Sequence, residues 1–106
     1  MKIIHTADVH LDASFVGTRF PAGFGHRRRQ CLREVFSAIV QRAAEWPADA
    51  LLIAGDLFDL DRVSRDTVAF LRECMERIRP VPVFIAAGNH DPCVPGSPYL
   101  TEVWPP

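Results

Sequence analysis

Ala50-Leu51-Leu52-Ile53-Ala54, followed at once by Gly55-Asp56, is the stretch that decides the fold. An unbroken apolar run that stops at a glycine and an acid reads as a short buried strand, since a half-exposed strand would alternate. The same shape recurs on either side. Lys2 to Ala7, with Ile3 and Ile4, stops at Asp8, and Val83 to Ala87 stops at Gly88-Asn89-His90-Asp91. Between the runs the period changes. From Arg27, residues Leu32, Val35, Phe36, Ile39, Val40 and Ala43 recur at helical steps, and Pro47 ends the pattern. Ser64 can cap a second helix whose buried stripe is Val68, Leu71, Cys74, Met75 and Ile78, closed by Pro80. The expected class is α/β: a parallel strand-helix-strand-helix-strand unit whose sheet is covered by helices and whose crossovers are right-handed.

The chain has 106 residues, of which 48% are hydrophobic and 24% charged, and a formal net charge of -1, which bounds it to one small domain at most. No run approaches the roughly 18 to 20 apolar residues needed to cross a bilayer. Three cysteines without a CxxC spacing suggest neither a disulfide framework nor a zinc knuckle, and the expected setting is reduced and cytoplasmic. Near-neutral charge argues against a purely electrostatic DNA binder, although the cations are lopsided, with eleven arginines against the single Lys2.

Each apolar run ends in a polar cluster: Asp8-Val9-His10, Gly55-Asp56-Leu57-Phe58-Asp59 and Gly88-Asn89-His90-Asp91. In an open parallel sheet, ligands bind beyond the carboxyl ends of the strands, so the three clusters should converge on one rim. Asp8 and His10, two apart in extended chain, would point to the same side and reach one cation. Asp56 follows a glycine that permits a sharp turn, and a carboxylate there has two oxygens with which to bridge two ions. Asn89 adds a neutral amide oxygen. Such mixed ligation suits manganese, iron or zinc. Taken singly, each cluster is more ordinary as turn or cap chemistry. Their repetition at three successive strand ends carries the inference.

In order and rough spacing, Ala7-Asp8-Val9-His10, Gly55-Asp56-Leu57-Phe58-Asp59 and Gly88-Asn89-His90-Asp91 resemble the first three signatures of the calcineurin-like metallophosphoesterases. The stretch from Ile4 to Asp12, with the two later signatures, looks most like the bacterial DNA double-strand-break repair exonucleases. The resemblance implies the N-terminal half of a four-layer αββα fold, with residues 1–91 as the N-terminal part of that domain and residues 92–106 as a proline-rich irregular tail. It implies two divalent cations, manganese in the first instance and iron or zinc as alternatives, which acidify the attacking water. Asp8 and His10 would hold the first ion, Asp56 would bridge both, and Asn89 would hold the second. His90 would be the general acid. Asp59 matches the position that orients this histidine in the phosphatase branches, so an Asp59–His90 pair is expected. Asp91 would brace the turn. DNA would be the substrate, and an ATPase partner and a homodimer are implied by the resemblance alone.

The family's metal site also draws on a histidine and a Gly-His-x-His element from further along the chain. The histidines here are His5, His10, His26 and His90. The expectation is therefore an N-terminal piece, whether a truncation, a partial gene or a dissected fragment, inactive by itself. Two other readings stay open: a phosphatase or small-nucleotide phosphodiesterase of the same superfamily, and a non-catalytic half-domain acting as a binding module. Arg27, Arg28 and Arg29, with Arg33 one turn later, could contact nucleic-acid phosphates or form a solvated face paired with Glu34 or Asp12. Phe15, Phe20 and Phe24 fall in a long loop from Leu11 to His26 and could stack on bases or pack the loop down. His5 is expected to be packed in its strand, and the cysteines to act as small hydrophobes.

Overall fold

A computed structural model describes residues 1–11, 24–61, 63–102 and 104. Its elements are β1 (Ile3–Thr6), α1 (Phe24–Glu45), β2 (Ala50–Ala54), α2 (Arg65–Ile78), β3 (Val83–Ala86) and α3 (Pro98–Thr101). The three strands form one parallel sheet in the order β1-β2-β3, as the alternation of apolar runs and helical periods predicts. α1 begins at Phe24, three residues before the expected start, so Arg27 to Arg29 lie in its first two turns. Phe15 and Phe20 lie outside the described residues.

The helices cover one face of the sheet. Leu51 and Ile53 are buried, in register with Ile4 and Thr6 on β1 and with Val83 and Ile85 on β3. The alternate positions form the opposite face, where His5 is exposed, Ile3 is 45% exposed and Phe84 is 60% exposed. This corrects two expectations: the sheet is covered on one side among the described residues, and His5 is not packed. Sequential parallel strands joined by crossovers of one hand put both helices on the same side.

On that side α1 and α2 meet directly. Phe36 packs edge to face on Phe70 with ring centroids 6.3 Å apart, and the Arg33 guanidinium donates to Thr67 Oγ1 at 2.5 Å while lying over the Phe70 ring. Arg33 thus joins two helices. Ser64 caps α2, its Oγ accepting from the Thr67 N–H at 3.1 Å. All five residues expected on the α2 stripe are buried. The α1 stripe is narrower than its period suggests: Phe36, Val40 and Ala43 are buried, but Val35 is 56% exposed because it lies to the side of the face that meets the sheet. Cys74 is buried, whereas Cys31 and Cys93 are exposed, so only one thiol is the small hydrophobe expected. The last stretch is not wholly irregular. Ser97 caps the short α3 with Pro98 at its first position, a start signal too brief to show any period.

Candidate metal centre

Beyond the last ladder pairs, the loops after β1 and β2 stay zipped together. Asp8 N–H donates to Gly55 O at 3.1 Å, His10 N–H to Asp56 O at 2.9 Å and Leu11 N–H to Leu57 O at 2.9 Å. Along the first loop Val9 and Leu11 are buried while Asp8 is exposed and His10 half-buried; along the second, Leu57 and Phe58 are buried and Asp56 and Asp59 half-buried. The apolar residues anchor each loop in the core, which leaves the polar ones at the rim.

The backbone that achieves this is not extended. Asp8, His10 and Asp56 have φ of 55°, 51° and 53°, in the left-handed region that residues with a side chain seldom occupy. The extended geometry expected for Asp8 and His10 is therefore replaced by two left-handed residues around a buried Val9. Such conformations persist only where surrounding contacts hold them, and they cluster at functional sites. Gly55, at φ 81°, makes the turn into Asp56. Gly88 serves a different need: a Cβ there would stand 2.4 Å from Asp56 Oδ1.

Ligand atoms of His10, Asp56 and His90 lie within 4.8 Å of one another. His10 Nδ1 is 3.0 Å from Asp59 Oδ1. A carboxylate can only accept, so Nδ1 carries the proton and Nε2 is turned toward Asp56 Oδ2, 4.0 Å away. Two ligand atoms at about 2.1 Å from a shared cation can span that gap. His90 Nδ1 lies 3.3 Å from the same oxygen, and its ring stands edge to face on that of His10 at 5.1 Å. The amide end of Asn89 lies 3.3 Å from both Asp56 oxygens; nitrogen there donates to the carboxylate, and oxygen there would suit a shared cation. Asp56 is held below the ordinary carboxylate pKa, first by the His90 N–H bond to Oδ1 at 2.9 Å and then by both imidazoles, against a partial cost of burial. The donor set and spacing fit a divalent cation.

Two expectations change. Asp59 pairs with His10, not with His90, because its loop is zipped to the first one. Asp8 lies on the same rim, but the group within 4.8 Å does not include it. Arg27 and Arg28 are exposed and Arg29 is half-buried.

Beneath the cluster sits Asp91, fully buried. Its Oδ1 accepts from the Asp56 and Gly88 N–H groups at 2.9 and 2.6 Å, and its Oδ2 from the Leu57 N–H at 3.0 Å and the Tyr99 hydroxyl at 2.5 Å. The expected brace is thus a four-way tie between two strand ends and α3. Tyr99 was not legible as part of the site. Ser97-Pro98 signals a helix start, but nothing in the spacing says where its second residue will point.

The family model of the calcineurin-like phosphoesterases matches residues 1–105. The chain is 32% identical over 108 aligned positions to the uncharacterized metallophosphoesterase YhaO of Bacillus subtilis (strain 168), covering 99% of this chain and 26% of that protein. It is 37% identical over 95 positions to the DNA double-strand break repair protein Mre11 of Aeropyrum pernix, covering 85% of this chain and 21% of that one. The chain spans about a quarter of the length of these relatives.

Proposed function

The chain belongs to the calcineurin-like phosphoesterase family, and from that premise we propose that it is the N-terminal, cation-holding part of a nuclease that hydrolyses phosphodiester bonds in DNA. The observation that carries the reading is the convergence of His10, Asp56 and His90 on one rim. The similarity to a double-strand break repair protein supports DNA as the substrate.

In this reading Asp8 and His10 would hold one cation, Asn89 would hold a second through its amide oxygen, and Asp56 would serve both. Two divalent cations, manganese in this proposal, would polarise the phosphoryl oxygens and acidify the attacking water. Asp59 keeps the His10 Nε2 lone pair aimed at the site by holding the proton on Nδ1. His90, its side chain 52% exposed and its Nδ1 3.3 Å from Asp56 Oδ2, would give a proton to the leaving oxygen.

Arg27, Arg28 and Arg29 would contact substrate phosphates. Arg33, the level at which α1 meets the first turn of α2, lies several residues after them. The arginines therefore sit up to about 10 Å further toward the end of the helix layer where the strands finish, at 1.5 Å per residue.

Protein from the complete reading frame, loaded with manganese, is expected to cleave DNA. Asp56→Asn should lower the rate roughly a hundredfold or more. Turnover confined to a monoester or a cyclic nucleotide would point to a phosphatase or small-nucleotide phosphodiesterase instead. Manganese binding without turnover of any phosphoester would leave a binding module.

A further inference from the structure

Asp91 is the one fully buried acid among the described residues, and its acceptor capacity is spent. A carboxylate offers about four lone-pair positions. Three of them take the N–H groups of Asp56, Leu57 and Gly88, and the fourth takes the Tyr99 hydroxyl. Tyr99 reaches it from α3, outside the loops that supply the three amides. Its ring packs on Phe58 with centroids 5.0 Å apart. Its own helix is held by the Ser97 cap and by the Trp104 Nε1–H, which donates to the Pro98 carbonyl at 3.2 Å.

We infer that Tyr99 is a positioning residue for the cation site: its hydroxyl fixes the rotation of the Asp91 carboxylate, and Asp91 holds Asp56 in its left-handed backbone. This inference rests on the reading of Asp56 as a cation ligand. The Asp91 side chain can turn about its last torsion, and of its four partners only the hydroxyl comes from outside the two loops that carry Asp56 and Gly88. Without that hydroxyl, Oδ2 keeps a single donor, and the carboxylate follows the loops instead of constraining them. Burial, reinforced by the neighbouring carboxylate, pushes the Tyr99 pKa well above its ordinary value, so the group stays a donor.

Tyr99→Phe removes the hydroxyl and keeps the ring on Phe58. In the 106-residue chain without metal, amide hydrogen exchange at Asp56, Leu57 and Gly88 should accelerate roughly tenfold, the value of one hydrogen bond to a charged group. Exchange at Leu51 and Ile53 in the sheet should not change. Leu100→Ser, an exposed change on the same helix, should leave all five amides unchanged. Manganese affinity measured by calorimetry should fall severalfold for Tyr99→Phe and not for Leu100→Ser. Uniform acceleration at all five amides, or none at Asp56, Leu57 and Gly88, would overturn the role of Tyr99 whether or not metal binds. If the exchange pattern is as expected but protein from the complete reading frame, wild type or variant, does not bind manganese, the cation reading of Asp56 fails on its own.

Discussion

Asp59 and His90 stand in adjacent loops, since Leu60 N–H donates to His90 O at 2.8 Å, yet the Asp59 carboxylate turns to His10. The choice has chemical content. An aspartate on a general acid tunes a proton donor, whereas one on a metal ligand fixes which ring nitrogen faces the cation. Asp59→Asn keeps the shape and gives up the charge. It is expected to weaken manganese binding by roughly 10- to 100-fold, the usual cost of losing such an outer partner, as read by titration calorimetry. Unchanged affinity combined with a shifted acid limb of the pH–rate profile would return Asp59 to His90. The left-handed angles of Asp8, His10 and Asp56 belong to the same scale. Asp tolerates that conformation better than most residues, and buried Val9, Leu11 and Leu57 hold the chain there. Residue types at strand ends were readable from the sequence. Their backbone angles were not, because they arise from hydrogen bonds between loops distant in the chain.

Among the elements, α2 is the one whose reading transfers almost unaltered. Its cap, its stripe and its proline stop are all local signals, and Ser64 and Ile78 bound it as expected. Ser64→Ala should cost about 2 kcal/mol of stability, near the upper end of the capping range, measured by urea unfolding, because the Ser64 Oγ also donates to Thr67 Oγ1 at 3.1 Å. α1 shows where local signals stop. Its period includes Val35, but which of two neighbouring stripes faces the sheet depends on how α2 lies against it. Thr67, buried beside Arg33, joins the interface for the same reason. α3, at four residues, is shorter than one helical repeat of apolar spacing, so it went unseen in the stretch expected to be irregular.

At the scale of the whole molecule, one sheet face is covered by two helices and the other presents Ile3 and Phe84. In the four-layer fold of this family that face meets a second sheet. Presented alone, the 106-residue chain should associate through it. Phe84→Thr, which retains strand propensity while removing the ring, should raise the self-dissociation constant roughly ten- to a hundredfold, in line with the 1.5–3 kcal/mol gained by burying such a side chain. Sedimentation velocity measures this directly, and an unchanged constant would place the contact elsewhere. The overall class was legible because three apolar runs and two helical periods admit few topologies. The face left open among the described residues was not, because an apolar run reads the same whether or not its second side is covered.

The hydrogen bonds that continue past the strands from Asp8, His10 and Leu11 into the second loop make the rim an extension of the sheet's own lattice. Asp8 and His10, although left-handed, are therefore paired to a neighbouring chain as strand residues are, and the base of the site inherits the rigidity of the sheet. On that base it is the side chains of His10, Asp56 and His90 that bring their ligand atoms within 4.8 Å of one another.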